Sequence, residues 1–362
     1  MKKKRVVIAL SGGVDSSAAA AILKEEGHEV IGISMQLYDH AQLEESRFDS
    51  CCSLKDVDVA RRVAQILDIP FYVLNFEKVF KEKVVDYFTN DYLQGRTPNP
   101  CVKCNEDVKF KHLILKAKEL EADTLATGHY VRNVYDEKSK TYQLLKAKDR
   151  KKDQSYFLFG TSPKELPFLR FPLGELEKTE VREIARKAQL PNAAKKESME
   201  ICFIPDNNYG AFIEKQMKDR DQTALKGDIV DKKGQVLGKH EGSFNFTVGQ
   251  RKGLGIANPD PLYVLNVDSC SKKVTVGSNE DLFSQGLYAQ DIHWICHPTG
   301  NSLSVKIRHS YKDIECSLEE EGEKSFKLKF REPQRAVTPG QAAVLYEGDV
   351  LLGGGWIEKG YV

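Results

Sequence analysis

A chain of 362 residues is long for a single hydrophobic core, so two or three domains are expected, each burying its own apolar surface. A hydrophobic share of 41% and a charged share of 30% match a globular protein and exclude a disordered or low-complexity chain. The formal net charge of +1 carries no global sign of a nucleic-acid partner, so any contact with a polyanion has to come from local clusters.

Met1-Lys2-Lys3-Lys4-Arg5 is a basic start that leads straight into apolar Val6-Val7-Ile8-Ala9-Leu10, without the apolar stretch and small-residue cleavage site of a signal peptide. No later run approaches the ~20 apolar residues of a membrane helix. A cytoplasmic protein without membrane contact is expected. Next come Ser11-Gly12-Gly13-Val14-Asp15-Ser16-Ser17 and the alanine-rich stretch Ala18 to Leu23, which read as strand, glycine turn and helix. Two glycines let the backbone approach a ligand, and the unpaired N–H groups of a helix start favour an anion, so a phosphate cradle is expected here. Neither G-x-x-x-x-G-K-[ST] nor G-x-G-x-x-G is present at this turn. The segment resembles instead the SGGxDS signature of the ATP pyrophosphatase (PP-loop) group, whose members cut ATP to AMP and pyrophosphate. Asp15 suits magnesium or phosphate positioning there, and equally suits helix capping.

Gly27 is a helix C-terminal cap, and Glu29 to Gln36 reads as a second strand. Ser53-Leu54-Lys55-Asp56 has capping-box spacing before a helix to about Leu67, and the strand Phe71 to Asn75 follows Pro70. Helices are expected over Glu77 to Leu93 and Asn105 to Leu120, then a strand over Thr124 to Thr127. Such alternation predicts a mostly parallel sheet with helices on both faces and a ligand crevice at the carboxyl ends of the strands. That crevice gathers Ser11 to Ser16, Met35 and Gly128-His129. Met35 by itself reads as core packing.

Eight cysteines without a secretory signal point to a reducing compartment where thiols do chemistry. In Arg96-Thr97-Pro98-Asn99-Pro100-Cys101-Val102-Lys103-Cys104-Asn105 the prolines stiffen the chain and a helix is expected to start only after Pro100. Cys104 then lies near a helix N-terminus beside Lys103, a setting that lowers a thiol pKa. The C-x-x-C alone fits a redox pair, half a zinc site or iron–sulfur ligands. Cys202, inside Ile201-Cys202-Phe203-Ile204, reads locally as a buried strand residue, and Cys270, Cys296 and Cys316 as small buried hydrophobes. Cys51 and Cys52 have no assigned role.

Lys146, Lys148, Arg150, Lys151 and Lys152 form a basic cluster suited to phosphate backbone or to a solvated loop. Beside it Tyr156 and Phe157 suit base stacking, although core packing is expected for at least one. Beyond Asp206 the pattern turns strand-rich. Lys232-Lys233-Gly234 marks a turn within Ile229 to Leu237, and a glycine-dense stretch spans Gly249 to Gly255. Short runs at Leu303 to Arg308, Phe326 to Phe330, Ala342 to Tyr346 and Val350 to Leu352 indicate a closing β-barrel. The expected domains are therefore 1–206, 207–280 and 281–362: an α/β catalytic domain, a small central module and a C-terminal barrel.

SGGVDS at 11–16, TPNPCVKCN at 97–105, TGHY at 127–130, KKDQSYFL at 151–158, SMEICFIP at 198–205 and GQRKGLGI at 249–256 occur in this order. Together they resemble the bacterial tRNA-specific 2-thiouridylases over nearly the whole chain. The resemblance implies an adenine nucleotide α-hydrolase-like PP-loop fold, a tRNA with a wobble uridine as substrate, ATP with Mg2+, and a persulfide supplied by a sulfur-relay protein or cysteine desulfurase. It implies that Cys104 is the nucleophile and Cys202 the persulfide carrier, joined in a transient disulfide. It assigns ATP contacts to Ala9, Leu10, Ser11, Gly12, Gly13, Val14, Asp15, Ser16, Met35 and Gly128, and the target base to Asn99, Pro100 and Cys101. tRNA contacts fall to His129, Lys152, Asp153, Gln154, Arg308, His309 and Gln341. Cys101 stands where many members have aspartate, and His309 where some have tyrosine. A monomer is expected.

On this reading ATP adenylates oxygen 2 of the uridine, which turns a poor leaving group into AMP. Sulfur then replaces it, either by attack of a Cys202 persulfide or by hydrosulfide that Cys104 releases. Two other classes share features: a PP-loop amide ligase using ammonia, which needs neither thiol, and a non-catalytic RNA-binding protein, which needs no ATP turnover.

Overall fold

The computed structural model describes residues 3–38, 54–195, 201–204, 208–224, 226–300, 302–320 and 323–362. Cys51, Cys52 and the expected capping residue Ser53 lie outside the described residues. Two compact units are formed, one from Met1–Val84, Cys101–Asn207 and Asp349–Leu351, the other from Val85–Pro100, Asn208–Gly348 and Leu352–Val362.

The first unit is built on β1 (Arg5–Ala9), α1 (Val14–Glu25), β2 (Glu29–Gln36), α2 (Leu54–Ile66), β3 (Phe71–Asn75) and β4 (Thr124–Ala126). The hairpin β5 (Val131–Asp136) and β6 (Thr141–Lys146) and the short β7 (Leu169–Arg170) follow. The sheet order is β3-β2-β1-β4-β7, with every pair parallel. Central β1 reads as a continuous apolar run because Val6, Val7 and Ile8 are fully buried. Helix α1 is alanine-rich for a related reason. Ala18, Ala19, Ala20 and Leu23 are all fully buried, and the helix Lys178–Lys187 packs on α1 through buried Val181 and Ala185. Small side chains let a helix covered on more than one side approach closely. Gly27 ends α1 at φ +81°, as its position in the sequence requires.

Two expected helices differ from the reading. The stretch after β3 is divided into Glu77–Phe80, Lys81–Val85 and Asp86–Leu93, the middle piece wound as a π-helix. The other begins at Pro100, not after it: Pro100–Lys103 is α-helical, Cys104–Leu113 is π-helical and Ile114–Glu119 is α-helical again. Proline is compatible with the first helical position because the N–H it lacks would have no intrahelical partner there. The hairpin β5–β6 was not anticipated; it runs antiparallel from Val131↔Lys146 to Asp136↔Thr141.

In the second unit the helices Asp86–Leu93 and Tyr209–Lys218 meet through Tyr92 stacked on Tyr209 at 5.1 Å and Phe88 edge-on to Phe212 at 6.2 Å. A four-stranded sheet follows, from β8 (Gly227–Val230), β9 (Val236–His240), β10 (Tyr263–Asp268) and β11 (Lys273–Gly277), in the order β10-β11-β8-β9. Its core is Ile229, Val264, Val274 and Val276. The expected turn between β8 and β9 holds Gly234 at φ +85°. The last six strands are β12 (Phe283–Trp294), β13 (Leu303–Lys306), β14 (Ile314–Glu320), β15 (Ser325–Arg335), β16 (Ala342–Glu347) and β17 (Val350–Tyr361). They run in the order β12-β15-β14-β13-β16-β17, and pairing of β12 with β17 closes the barrel. Closure removes exposed sheet edges. Among the described residues no helix is long and apolar enough to cross a membrane.

Candidate active site

Strand β1 delivers Ser11 to Ser16 to the carboxyl edge of the sheet, where the chain turns sharply into α1. Gly12 has φ +73°, and a Cβ there would collide with the carbonyl oxygen of Asp56. Gly13 is the N-cap and offers no side chain to the first turn. The loop is braced from within. Ser11 N donates to Ser16 Oγ at 3.2 Å, Ser17 Oγ donates to Gly13 O at 2.9 Å, and buried Asn192 donates from Nδ2 to Gly12 O at 3.0 Å. With the loop held by its own groups and no side-chain cap, the N–H groups that open α1 remain available to an anion.

These residues line a cavity of about 330 Å³. Ser11, Gly13, Val14, Asp15, Ser16, Met35, Gly128 and His129 face it, as the expected crevice requires, and Ala9, Leu10, Lys152 and Gln154 line it as well. Gly12 is buried behind the loop. Gly128 is a glycine because of a close approach: a Cβ would lie 2.6 Å from Ser16 N and 2.9 Å from Asp15 C. Met35 is 8% exposed and sits in register with Leu74. Asp15 has two partners. Lys178 Nζ, from the helix Lys178–Lys187, reaches both carboxylate oxygens at 2.6 and 2.8 Å, and Tyr130 OH donates at 2.8 Å.

Cys104 and Cys202 line the same cavity. Both are thiols in this structure. Cys104 opens the π-helix one turn inside the helical segment, not at its N-terminus, and burial pushes its thiol above the ordinary range, an effect that the charge of Lys109 opposes. The lowered pKa expected from a helix start is thus overturned, because desolvation of the thiolate outweighs the nearby cation. Lys103, expected to assist, instead pairs with Glu106 at 3.1 Å. Burial, and secondarily Lys109, hold His129 well below the usual imidazole range, so it is neutral; its Nδ1 lies 2.7 Å from Thr127 Oγ1.

Cys202 lies in a turn over 201–204, closed by Ile204 N donating to Ile201 O at 3.0 Å, and not in the strand its neighbours suggest. Phe203 and Ile204 take the buried positions and leave the thiol facing the cavity. Tyr38 OH is 2.9 Å from Cys202 Sγ, and its ring meets Phe80 edge-on at 5.1 Å, which in turn meets Phe203 at 5.7 Å. The phenol thereby holds the sulfur in place. Tyr38→Phe is expected to slow sulfur transfer by up to about tenfold, the worth of one hydrogen bond, while ATP consumption stays near wild type. Single-turnover assays of both steps check this, and an equal fall in both would contradict it.

Several expected contacts are placed elsewhere. Asp153 is 4% exposed and accepts from Ala147 N at 3.0 Å and Ser155 Oγ at 2.9 Å, so its carboxylate ties the 147–155 turn together. Arg308 donates to Thr338 Oγ1 at 2.6 Å and to two carbonyls, while His309 is exposed. Gln341 donates to Thr97 O at 2.9 Å and Pro98 O at 3.3 Å, which makes it a brace for the proline-stiffened segment. Asn99 and Pro100 are buried in the second unit, and Cys101, exposed in the first, is not among the cavity-lining residues. In the basic cluster Lys146 is buried and Arg150 pairs with Asp349 at 2.6 Å. Tyr156 is fully buried and Phe157 half-buried. Cys270 is exposed, unlike the small buried hydrophobe expected, whereas burial pushes the Cys296 and Cys316 thiols up to about 11 and 12.

Sequence reasoning missed Tyr38, Lys109, Tyr130, Lys178 and Lys195. Lys195 lines the cavity and pairs with buried Asp56. Tyr38, Lys109 and Tyr130 lie close in sequence to residues already singled out, at Met35, Cys104 and His129, whereas Lys178 and Lys195 are brought in by packing of segments distant in sequence.

A parallel sheet with a phosphate-type loop at its carboxyl edge is the HUP architecture, and the family model described as "tRNA methyl transferase HUP domain" matches residues 4–206. A "tRNA methyl transferase PRC-barrel domain" matches 211–278 and an "Aminomethyltransferase beta-barrel domain" matches 284–357. The chain is 54% identical to the tRNA-specific 2-thiouridylase MnmA of Geotalea uraniireducens, over 99% of this chain and 96% of that protein. It is 50% identical to the protein of the same name from Geobacter metallireducens, over 98% and 97%. A third, from Clostridioides difficile, is 44% identical over 98% of each chain. The chain belongs to the tRNA-specific 2-thiouridylase family.

Proposed function

We propose that the protein is a tRNA-uridine 2-sulfurtransferase that converts the wobble uridine of tRNA to 2-thiouridine with ATP and persulfide sulfur. The observation that carries this reading is that Cys104 and Cys202, far apart in sequence, face one cavity together with the Ser11–Ser16 loop. The family descriptions speak of methyl transfer, whereas the full-length relatives are named for 2-thiolation, and two thiols beside a nucleotide loop favour the latter.

ATP enters with its phosphates at the N-terminus of α1 and its adenosine toward Met35 and Gly128. The uridine O2 attacks the α-phosphorus, pyrophosphate leaves, and the loop N–H groups stabilise the charge that builds on it. Magnesium bound with the nucleotide would supply further neutralisation of the pyrophosphate charge. Asp15 does not fit as its protein ligand, because Lys178 already neutralises both carboxylate oxygens. The terminal sulfur of a Cys202 persulfide attacks C2, and the C2–O bond breaks with AMP as leaving group. The Cys104 thiolate then attacks Cys202 Sγ; the old S–S bond breaks, its electron pair goes to the transferred sulfur, and C2=S remains. A Cys104–Cys202 disulfide results, and a thiol reductant must reset it. Release of hydrosulfide by Cys104 before attack requires the same two thiols.

Division of labour follows the expected domains, with chemistry in 1–206, a central module over 207–280 and tRNA binding by the barrel over 281–362. The tRNA contacts of this reading are His129, Lys152, Asp153, Gln154, Arg308, His309 and Gln341, and Asn99 to Cys101 form its target-base loop. A sulfur-relay protein or cysteine desulfurase loads Cys202, and the protein acts as a cytoplasmic monomer. The test is direct. Purified protein with ATP, magnesium, a persulfide donor and unmodified tRNA should yield 2-thiouridine on nucleoside mass spectrometry. A thiol-independent amidation, or tRNA binding without AMP release, would instead mark an amide ligase or a non-catalytic RNA-binding protein.

A further inference from the structure

We propose that Lys109 is the residue that holds the negative charge of Cys104 when its thiol ionises, and that the π-helix Cys104–Leu113 exists to bring the two onto one face. The inference rests on the assignment of Cys104 as a reacting thiol. In an α-helix of 3.6 residues per turn, side chains five apart point about 140° away from each other, so Lys109 would turn from any cavity that Cys104 faces. Hydrogen bonds that reach five residues wind the backbone more loosely and return residue i+5 to the face of residue i. Here Cys104 and Lys109 both line the cavity.

The ammonium is anchored. Lys109 Nζ donates to Asn105 Oδ1 at 2.9 Å, and buried Asn105 is fixed in turn by Nδ2 donating to Phe157 O at 3.2 Å. A lysine held by a neutral amide keeps its charge uncompensated by that partner, which leaves its field for an anion in the cavity. The other titratable groups lining this cavity are Asp15, His129, Tyr130, Lys152, Lys195 and Cys202. Asp15 is matched by Lys178, Lys195 by Asp56, and His129 is neutral. Cys104 is only partly enclosed, so its proton leaves to water through the cavity while the thiolate stays beside Lys109. Desolvation works against that thiolate and Lys109 works for it.

The test is the pH profile of Cys104 alkylation by iodoacetamide, followed by mass spectrometry of the Cys104 peptide in the full-length protein. Lys109→Met should move the alkylation midpoint up by at least about one pH unit, which is about tenfold slower labelling at any pH below both midpoints. Lys109→Arg, which keeps the charge, should stay close to wild type. Single-turnover sulfur transfer by Lys109→Met should recover toward wild type as pH rises, a rescue that a purely structural role would not give. An alkylation profile of Lys109→Met that overlays wild type, an equal shift in Lys109→Arg, or a transfer defect of the same size at every pH would overturn the proposal. If Lys109→Met does not fold, Lys109→Gln in the same assay decides. The assay needs neither ATP nor tRNA, so thiolation that survives Cys104→Ser would sink the function of Cys104 without deciding the Lys109 result.

Discussion

Cys104→Ser and Cys202→Ser are each expected to reduce 2-thiouridine formation by at least about a thousandfold, the scale on which removal of a covalent nucleophile acts. Adenylation should persist in both, because the loop proposed to bind ATP is braced by Ser16, Ser17 and Asn192 and by neither thiol. The measurement is twofold: nucleoside mass spectrometry for product, and tRNA-dependent AMP formation or pyrophosphate exchange for activation. The pattern of activation without thiolation is what separates sulfur transfer from ammonia-dependent ligation. Cys270→Ser, at an exposed thiol in the second unit, serves as the control and should stay within a few-fold of wild type. Retention of a tenth or more of wild-type thiolation by either variant would remove that cysteine from the mechanism.

Gly128→Ala is expected to weaken use of ATP by about a hundredfold or more. The added methyl would lie 2.6 Å from Ser16 N and 2.9 Å from Asp15 C, and both are backbone atoms of the helix start proposed to bind phosphate. No rotamer relieves such a clash. Either α1 shifts off the loop or the 127–130 segment moves out, and overpacking of this kind costs about 1–3 kcal/mol of stability besides. Gly12→Ala should be worse, since it adds a left-handed φ of +73° to its collision with Asp56 O. Pyrophosphate exchange against ATP concentration together with thermal melting checks both variants, and an unchanged KM for ATP in Gly128→Ala would show that the approach is not tight.

The strands β2 and β3 run over Glu29–Gln36 and Phe71–Asn75 as the periodicity predicts, and the loop at Ser11 to Ser16 lies where its glycines require. These features are local: a strand needs only its own run of apolar and β-branched residues, and a sharp turn only its own glycines. The π-winding of Cys104–Leu113 was not legible, because α- and π-helical pieces share the same residue preferences and differ only in which carbonyl each N–H finds. The fate of polar side chains was equally hidden. Nothing in the sequence shows that Asp153, Arg308 and Gln341 bond to the protein's own backbone and neighbouring side chains.

Sequence by itself therefore determined the α/β class, the order of sheet, module and barrel, the nucleotide loop and the thiols worth testing. Tertiary structure alone decided that Cys104, Cys202 and Lys109 share a cavity, that Tyr38 holds Cys202, and that Asp15 answers to Lys178. The reason is physical. Backbone geometry follows from neighbours along the chain, whereas the solvation and charge that govern a thiol or a carboxylate come from whatever the fold packs around it.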